Sequence, residues 1–371
     1  MSDFGRAAVY ERPGQPMRIR EFPVPKPRPG SILVRLSVSN ICGSDLHIWH
    51  QAECGDIPGL RLPVIWGHEM TGRVAALGGG VTHDSAGAEL HVGDRIVYKD
   101  MRPCFHCRAC QRRNFVACPT LWAHRLPDCA SPPYFGGAFA DYYYLVSTFA
   151  VYKAPEAVPD ELLAGVNCAV SQVLFGLERA GLRYGDRLVI QGAGGLGIYM
   201  TAIAREMGAA RVIVVDSVPQ RLSVARAFGA DAVIDLSALT QPADRVARVL
   251  ELTDGWGADV VAEVSGNANA WPEGIEMTGR GGTYLTMGAI LPNTACSVVP
   301  ANLIRPGKRI VGVAHFEPES IPKALQFLSS TLSKYPYELL TADRYPLEAI
   351  NDAFLDADSR RTTRAAIVLT P

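Results

Sequence analysis

Arg187-Leu188-Val189-Ile190-Gln191-Gly192-Ala193-Gly194-Gly195-Leu196-Gly197 runs from a short apolar strand through a glycine turn into a helical stretch over 196–207. Its last six residues fit G-x-G-x-x-G, a pattern that is weak alone because glycine turns are common. Here it follows a strand, opens a helix, and is followed 19 residues past Gly197 by Asp216 at the end of the next strand. One glycine makes the tight turn, one lets the backbone approach a pyrophosphate, and one lets helix and strand pack closely. Gly192, Gly194, Gly195, Leu196 and Gly197 are therefore the candidate pyrophosphate cradle, at the positive end of the helix dipole. Asp216 is placed to accept hydrogen bonds from the adenosine ribose hydroxyls. Its charge repels a 2′-phosphate, so NAD is favoured over NADP, with Arg221 near enough in sequence to soften that preference.

Strand and helix keep alternating beyond this turn. Strands are expected over 211–216, 231–234, 259–264 and 282–287, with helices over 220–228 and 245–252 between them. Such alternation implies an α/β unit, a doubly wound parallel sheet of Rossmann type with helices on both faces. Before it the chain is β-rich and cut by Gly and Pro, with apolar runs at 7–10, 17–20, 31–39, 64–77 and 94–98, the pattern of a compact barrel-like domain. After 313 the structure is mixed, with helices near 321–332 and 347–356 and a closing strand over 365–370. The α/β unit therefore reads as an insertion, giving 1–164, 165–312 and 313–371 as the expected segments.

Composition sets the outer bounds. At 371 residues, 48% hydrophobic and 20% charged, the chain has the balance of a folded globular protein, long enough for two domains at roughly 150 residues each. Lys plus Arg (36) against Asp plus Glu (37) leaves a net charge of −1, which argues against nucleic-acid or anionic-membrane partners. No apolar run approaches the roughly 18 residues of a membrane span, and no signal-like core follows the N-terminal charges, so a cytoplasmic protein is expected. In that compartment the nine cysteines read as thiols or metal ligands, not as a disulfide framework.

Cys104, Cys107, Cys110 and Cys118 form C-x2-C-x2-C-x7-C, in a lobe over about 100–120. Four thiolates this close can close the tetrahedron of a structural zinc, leaving no open position. A cluster of free thiols and an iron–sulfur centre are the other readings. A second group carries open-site chemistry: Cys42-Gly43-Ser44-Asp45-Leu46-His47, Gly67-His68-Glu69, and Cys168. Three protein ligands plus water suit a catalytic zinc. Spacing alone does not bring them together, and singly Cys42 reads as a small buried hydrophobe, His68 as a core histidine and Cys168 as helix packing.

Taken in order, these motifs and the glycine turn with Asp216 resemble the zinc-containing medium-chain dehydrogenase/reductase superfamily, over essentially the whole chain. The resemblance implies a Rossmann domain inserted in a GroES-like catalytic barrel, NAD as cofactor, and two zinc ions per chain, one catalytic and one structural. Cys42, His68 and Cys168 match the catalytic zinc ligands, and Glu69 the carboxylate that coordinates the metal in some members. Asp45 matches the partner that orients His68, and Ser44 and His47 the two ends of a proton relay. Arg364 resembles a basic position against the pyrophosphate, a contact that Gly43 does not supply. The implied reaction moves a hydride between an alcohol, secondary, polyol or cyclic, and nicotinamide, giving a ketone from a secondary hydroxyl or an aldehyde from a primary one, in a homodimer or homotetramer.

Lys99 and Asp100 stand where some members have an apolar pocket residue, which points to a polar, hydroxylated or bulky substrate over ethanol, such as a polyol or cyclic alcohol. Trp49, Trp66, Tyr134 and Phe135 are candidate pocket aromatics. Two other readings of the same frame are a zinc-free quinone or enoyl reductase and a non-catalytic NAD(H)-binding protein.

Overall fold

The computed structural model describes residues 3–12, 14–51, 61–121, 128–288 and 294–369, and divides the chain into two compact units. One is Met1–Cys168 with Glu317–Leu332 and Tyr337–Pro371; the other is Ala169–Phe316 with Ser333–Pro336. The change-overs at 168 and 316 compare with 164 and 312 expected from the sequence, and Ser333–Pro336 returns to the second unit.

Before Cys168 the described residues of the first unit form β1 (Phe4–Tyr10), β2 (Arg18–Pro23), β3 (Ile32–Asn40), β4 (Val64–Ile65), β5 (Glu69–Leu77), β6 (Arg95–Tyr98), β7 (Tyr142–Leu145) and β8 (Val151–Lys153). The second holds β9 (Arg187–Gln191), β10 (Arg211–Asp216), β11 (Ala232–Asp235), β12 (Ala258–Glu263), β13 (Thr278–Thr286) and β14 (Arg309–Gly312). The chain then returns to the first unit with β15 (Asp343–Pro346) and β16 (Ala365–Val368). Position 370 of the expected closing strand lies outside the described residues.

In the first unit, β2-β1-β4 form a small antiparallel sheet, and β15-β16-β3-β5-β6-β8 a larger one, with β7 also paired to β3. Strand β3 is buried on both faces at its start, although Arg35 is exposed. Ile32, Val34 and Leu36 join a core around Trp66, Tyr98, Phe139 and Phe354, while Leu33 packs with Phe22, Phe135 and Tyr142. The apolar run 64–77, expected as one strand, is broken at Gly67. That glycine has φ +90°, and a Cβ there would lie 2.9 Å from that of Ala138. The break sends β4 to β1 and β5 to β3, and leaves His68 at the turn between two sheets.

The second unit is a six-stranded parallel sheet in the order β11-β10-β9-β12-β13-β14. Leu188, Val189, Ile190 and Val212 to Val215 are all buried, the near-continuous apolar pattern of strands covered on both faces. From β9 the chain winds outward through β10 and β11, then returns to place β12 on the other side of β9. The order reverses between β9 and β12, so a crevice opens at their carboxyl ends, where ligands of such sheets bind. No helix among the described residues is long and apolar enough to cross a membrane.

Candidate metal centres and dinucleotide turn

Strand register assembles the first cluster. Asn40 of β3 pairs with Glu69 of β5, so Cys42, two residues past the end of β3, meets His68, one residue before β5. The Met70 N–H donates to Asn167 Oδ1 (3.3 Å), which ties the π-helical turn Val166–Val170 and its Cys168 to the same strand. The ligand atoms of Cys42, His68, Glu69 and Cys168 lie within 4.8 Å of one another, and all four residues are buried.

Asp45 organises the group. One carboxylate oxygen accepts the Cys42 main-chain N–H (2.9 Å) and the other lies 3.1 Å from His68 Nδ1. The second contact places the ring proton on Nδ1 and leaves the Nε2 lone pair for a cation, the usual arrangement of a metal-ligating histidine. Ser44 Oγ lies 3.3 Å from that Nε2. His47 follows Ser44 by three residues on the helix Gly43–Gln51 and is half-buried. The Cys42 thiol is held well below its ordinary value, first by a hydrogen bond with Cys168, against burial, and further by His68 and Ser44.

Glu69 is fully buried, and its Oε1 has no hydrogen-bond partner among the described residues. Its other oxygen is ion-paired with Arg364, itself 6% exposed. Burial pushes that guanidinium down to about 10, opposed by Cys42 and Asp45. Two thiols, an imidazole nitrogen and a carboxylate oxygen without a donor form a set that suits zinc. The structure thus gives Arg364 an occupation beside Glu69 that the sequence did not suggest.

The second cluster is local. Cys104, Cys107, Cys110 and Cys118 present sulfurs within 4.8 Å of one another, with Cys104–Cys110 at 3.9 Å and Cys107–Cys110 at 3.5 Å. Sulfurs sharing one zinc at ~2.3 Å in a tetrahedron stand roughly 3.8 Å apart, so the set fits that ion. The main-chain N–H of Cys104 reaches the Cys118 sulfur and that of Cys107 the Cys104 sulfur, both at 3.3 Å, as suits thiolate charge. His106 turns away, its Nδ1 2.7 Å from the Cys104 carbonyl.

In the second unit, Gly192 has φ +113°, and a Cβ there would sit 3.0 Å from the Ser265 backbone. A Cβ on Gly197 would overlap the Gly192 carbonyl at 1.9 Å, so both positions exclude side chains. Gly194 precedes the helix Gly195–Glu206, and no side chain caps it, which leaves the first N–H groups to a ligand. Asp216 is buried, and its oxygens accept N–H bonds from Ala193 (2.6 Å), Ser217 (2.7 Å) and Val218 (2.9 Å). Arg221 stands on the first turn of the helix Pro219–Ala227 that follows.

Sequence reading missed Glu263. This fully buried carboxylate ends β12 and accepts bonds from Ser265 N–H (2.8 Å), Ser265 Oγ (2.9 Å) and Gly266 N–H (2.7 Å). It fixes the loop that rests on Gly192; the only signal was a charge closing an apolar strand. Of the candidate pocket aromatics, Trp66 stacks on Tyr10 at 4.1 Å, Phe135 packs with Phe22 and Tyr142, and Tyr134 stacks on Phe22, all as core contacts. Trp49 is edge-on to Phe354. Lys99 is buried, and burial pushes its ammonium down to about 8, against the pull of Asp100, Glu317, Glu319 and Cys168.

A parallel sheet with a glycine turn at its switch point, together with one mixed-donor and one all-cysteine cluster, defines the frame of a zinc-holding dehydrogenase. Residues 28–156 match the alcohol dehydrogenase GroES-like domain and residues 195–330 the zinc-binding dehydrogenase family. The 5-exo-hydroxycamphor dehydrogenase of Pseudomonas putida is 33% identical over 352 residues, 94% of each chain. A sorbitol dehydrogenase of Gallus gallus is 31% identical over 348 residues, 94% of this chain and 92% of that one. The crystal structure of an alcohol dehydrogenase from Thermotoga maritima matches with a TM-score of 0.89 at 29% identity, over 98% of this chain and 99% of that one. The chain belongs to the zinc-containing medium-chain dehydrogenase/reductase superfamily.

Proposed function

We propose that the protein is an NAD-linked, zinc-dependent dehydrogenase of a secondary, polyol or cyclic alcohol. The observation that carries this reading is the buried convergence of Cys42, His68, Glu69 and Cys168 with Ser44 Oγ beside the same imidazole nitrogen. Cys42, His68 and Cys168 would hold the catalytic zinc, with Glu69 as an exchangeable partner, and Cys104, Cys107, Cys110 and Cys118 the structural one. When bound, zinc supplies the Lewis acidity that makes the alcohol proton labile, and NAD supplies the hydride acceptor.

The chain's own residues do the rest. Asp45 fixes the ring of His68, and through Cys42 N–H it fixes the thiolate as well. Ser44 takes the alcohol proton and passes it on towards His47, the outer end of the relay. Arg364 balances the Glu69 carboxylate when that group is not on the metal. The open N-terminus of the helix Gly195–Glu206 holds the pyrophosphate and Asp216 the adenosine ribose, tilting choice towards NAD. The buried Lys99, with Asp100 next to it and its charge felt at Cys168, favours a polar or hydroxylated substrate.

The reading carries the segments 1–164, 165–312 and 313–371 as catalytic, cofactor and catalytic parts, and a cytoplasmic homodimer or homotetramer. A panel of polyols, cyclic alcohols and short primary alcohols with NAD, followed at 340 nm, tests it. Turnover of polyols or cyclic alcohols is expected. NADH uptake without oxidation of any alcohol would favour a binding protein, and quinone or enone reduction that survives chelation would favour the zinc-free reductase reading.

A further inference from the structure

We propose that the second unit carries another binding site, for a compact phosphorylated anion, at the amino-terminal edge of its sheet. This edge is opposite to the glycine turn: β9 begins at Arg187 and ends beside Gly192. A groove of about 240 Å³ lies here, bordered by the end of the helix Ser171–Ala180 and the starts of β9, β12, β13 and β14. That is smaller than the ~300–1,000 Å³ of ordinary ligand clefts, which limits the occupant to a small molecule.

Arg183, Arg280 and Arg309 line the groove. Elsewhere in the unit Arg187, Arg205, Arg245 and Arg248 each hold a carboxylate. The three groove arginines form no ion pair among the described residues, although Asp186 and Asp259 share the groove with them. Those two carboxylates are directed at main-chain donors instead, the N–H of Arg183 (2.7 Å) and of Arg187 (2.8 Å). Three arginines thus share the groove with two carboxylates already engaged with backbone, and the local excess is positive.

The backbone is shaped for this display. Ala258 pairs with Thr278 and Val260 with Thr283, so Asp259 alone stands opposite Gly279, Arg280, Gly281 and Gly282. The outward bulge carries Arg280. Gly281 has φ +72°, and a Cβ on Gly282 would lie 2.9 Å from the Asp259 carbonyl, so neither position accepts an ordinary side chain. A Cβ on Gly181 would lie 3.8 Å from an Arg309 nitrogen, which places that guanidinium at the carbonyl end of the helix. The partial negative charge there steadies it without consuming it in an ion pair. Guanidinium forks recognise phosphate oxygens in pairs, and such charge-assisted bonds are the strong ones.

The test is calorimetric titration of the full chain, saturated with NADH and zinc-loaded, with inorganic phosphate in a low-chloride buffer. The wild type should bind phosphate saturably at one site. The Arg183→Gln/Arg280→Gln double variant should bind at least about tenfold more weakly, taking one lost charge-assisted contact as the minimum. Arg226→Gln, on the helix Pro219–Ala227, is the control and should bind as the wild type does. Melting curves and NADH affinity should be the same in all three proteins. No saturable binding to the wild type, or equal weakening in the control, would overturn the proposal. Saturable binding of a short oligonucleotide in place of phosphate, lost in the same double variant, would overturn it in favour of a nucleic-acid surface.

Discussion

Replacing Asp216 by asparagine should cost NAD-linked turnover while relaxing the choice between NAD and NADP. The carboxylate accepts three main-chain N–H groups, Ala193 on one oxygen and Ser217 and Val218 on the other. An asparagine amide has one acceptor oxygen, so either Ala193 or the Ser217–Val218 pair must then face an NH2 group. Leaving a buried donor unpaired costs about 1–3 kcal/mol, which should appear as a lower melting temperature. The ribose hydroxyls lose a charge-assisted acceptor worth about 1.5–3 kcal/mol, or roughly 10- to 150-fold in kcat/KM for NAD. Repulsion of a 2′-phosphate disappears at the same time, so kcat/KM for NADP should hold or rise. Initial rates at 340 nm with both cofactors, beside binding of NADH and NADPH by tryptophan fluorescence, measure the ratio. A protein that melts lower yet keeps its NAD/NADP ratio within about twofold would refute the ribose assignment.

Asp45→Asn should reduce zinc retention or turnover by about 10- to 100-fold, the usual effect of losing the partner of a ligating histidine, and metal analysis beside rates checks it; unchanged values would remove Asp45 from the site. Glu263→Ala leaves three donors of Ser265 and Gly266 without their acceptor, so stability should fall by roughly 2–5 kcal/mol and the KM for NAD should rise with kcat little changed, as denaturant titration and rates will show. Lys99→Met should stabilise the protein by about 3 kcal/mol at neutral pH. The folded state disfavours charged Lys99, so the unfolded chain binds the extra proton between pH 8 and 10.5, and wild-type stability gains with rising pH across that window. The advantage of the methionine variant is therefore full below pH 8 and gone above about 10.5, and denaturant titrations at pH 7, 9 and 10.5 follow it.

What the sequence made legible was local. The glycine turn occupies six consecutive positions, and the sterics that demand glycine at 192 and 197 act within the turn or against a neighbouring loop. The four cysteines of the lobe fall within fifteen residues, so their convergence needs little more than a loop and two short helical turns. The open site was legible as residue types but not as geometry. Cys42 meets His68 only because β3 and β5 pair in one register, and Cys168 arrives through the hydrogen bond from Met70 to Asn167. No periodicity encodes a pairing across nearly thirty or a hundred positions. The same holds for Arg364, which finds Glu69 because β16 pairs with β3. Trp66 and Phe135 flank the motifs in sequence but are fixed by aromatic neighbours in the core. Glu263 was hidden as one charge closing an apolar strand.

Zinc counted per chain in the wild type, Cys42→Ser and Cys110→Ser tests the open metal site most directly. The account predicts two zincs in the wild type and one in each variant, with alcohol oxidation abolished and NADH affinity retained in Cys42→Ser. One zinc in an active wild type, or undiminished turnover by Cys42→Ser, would contradict it.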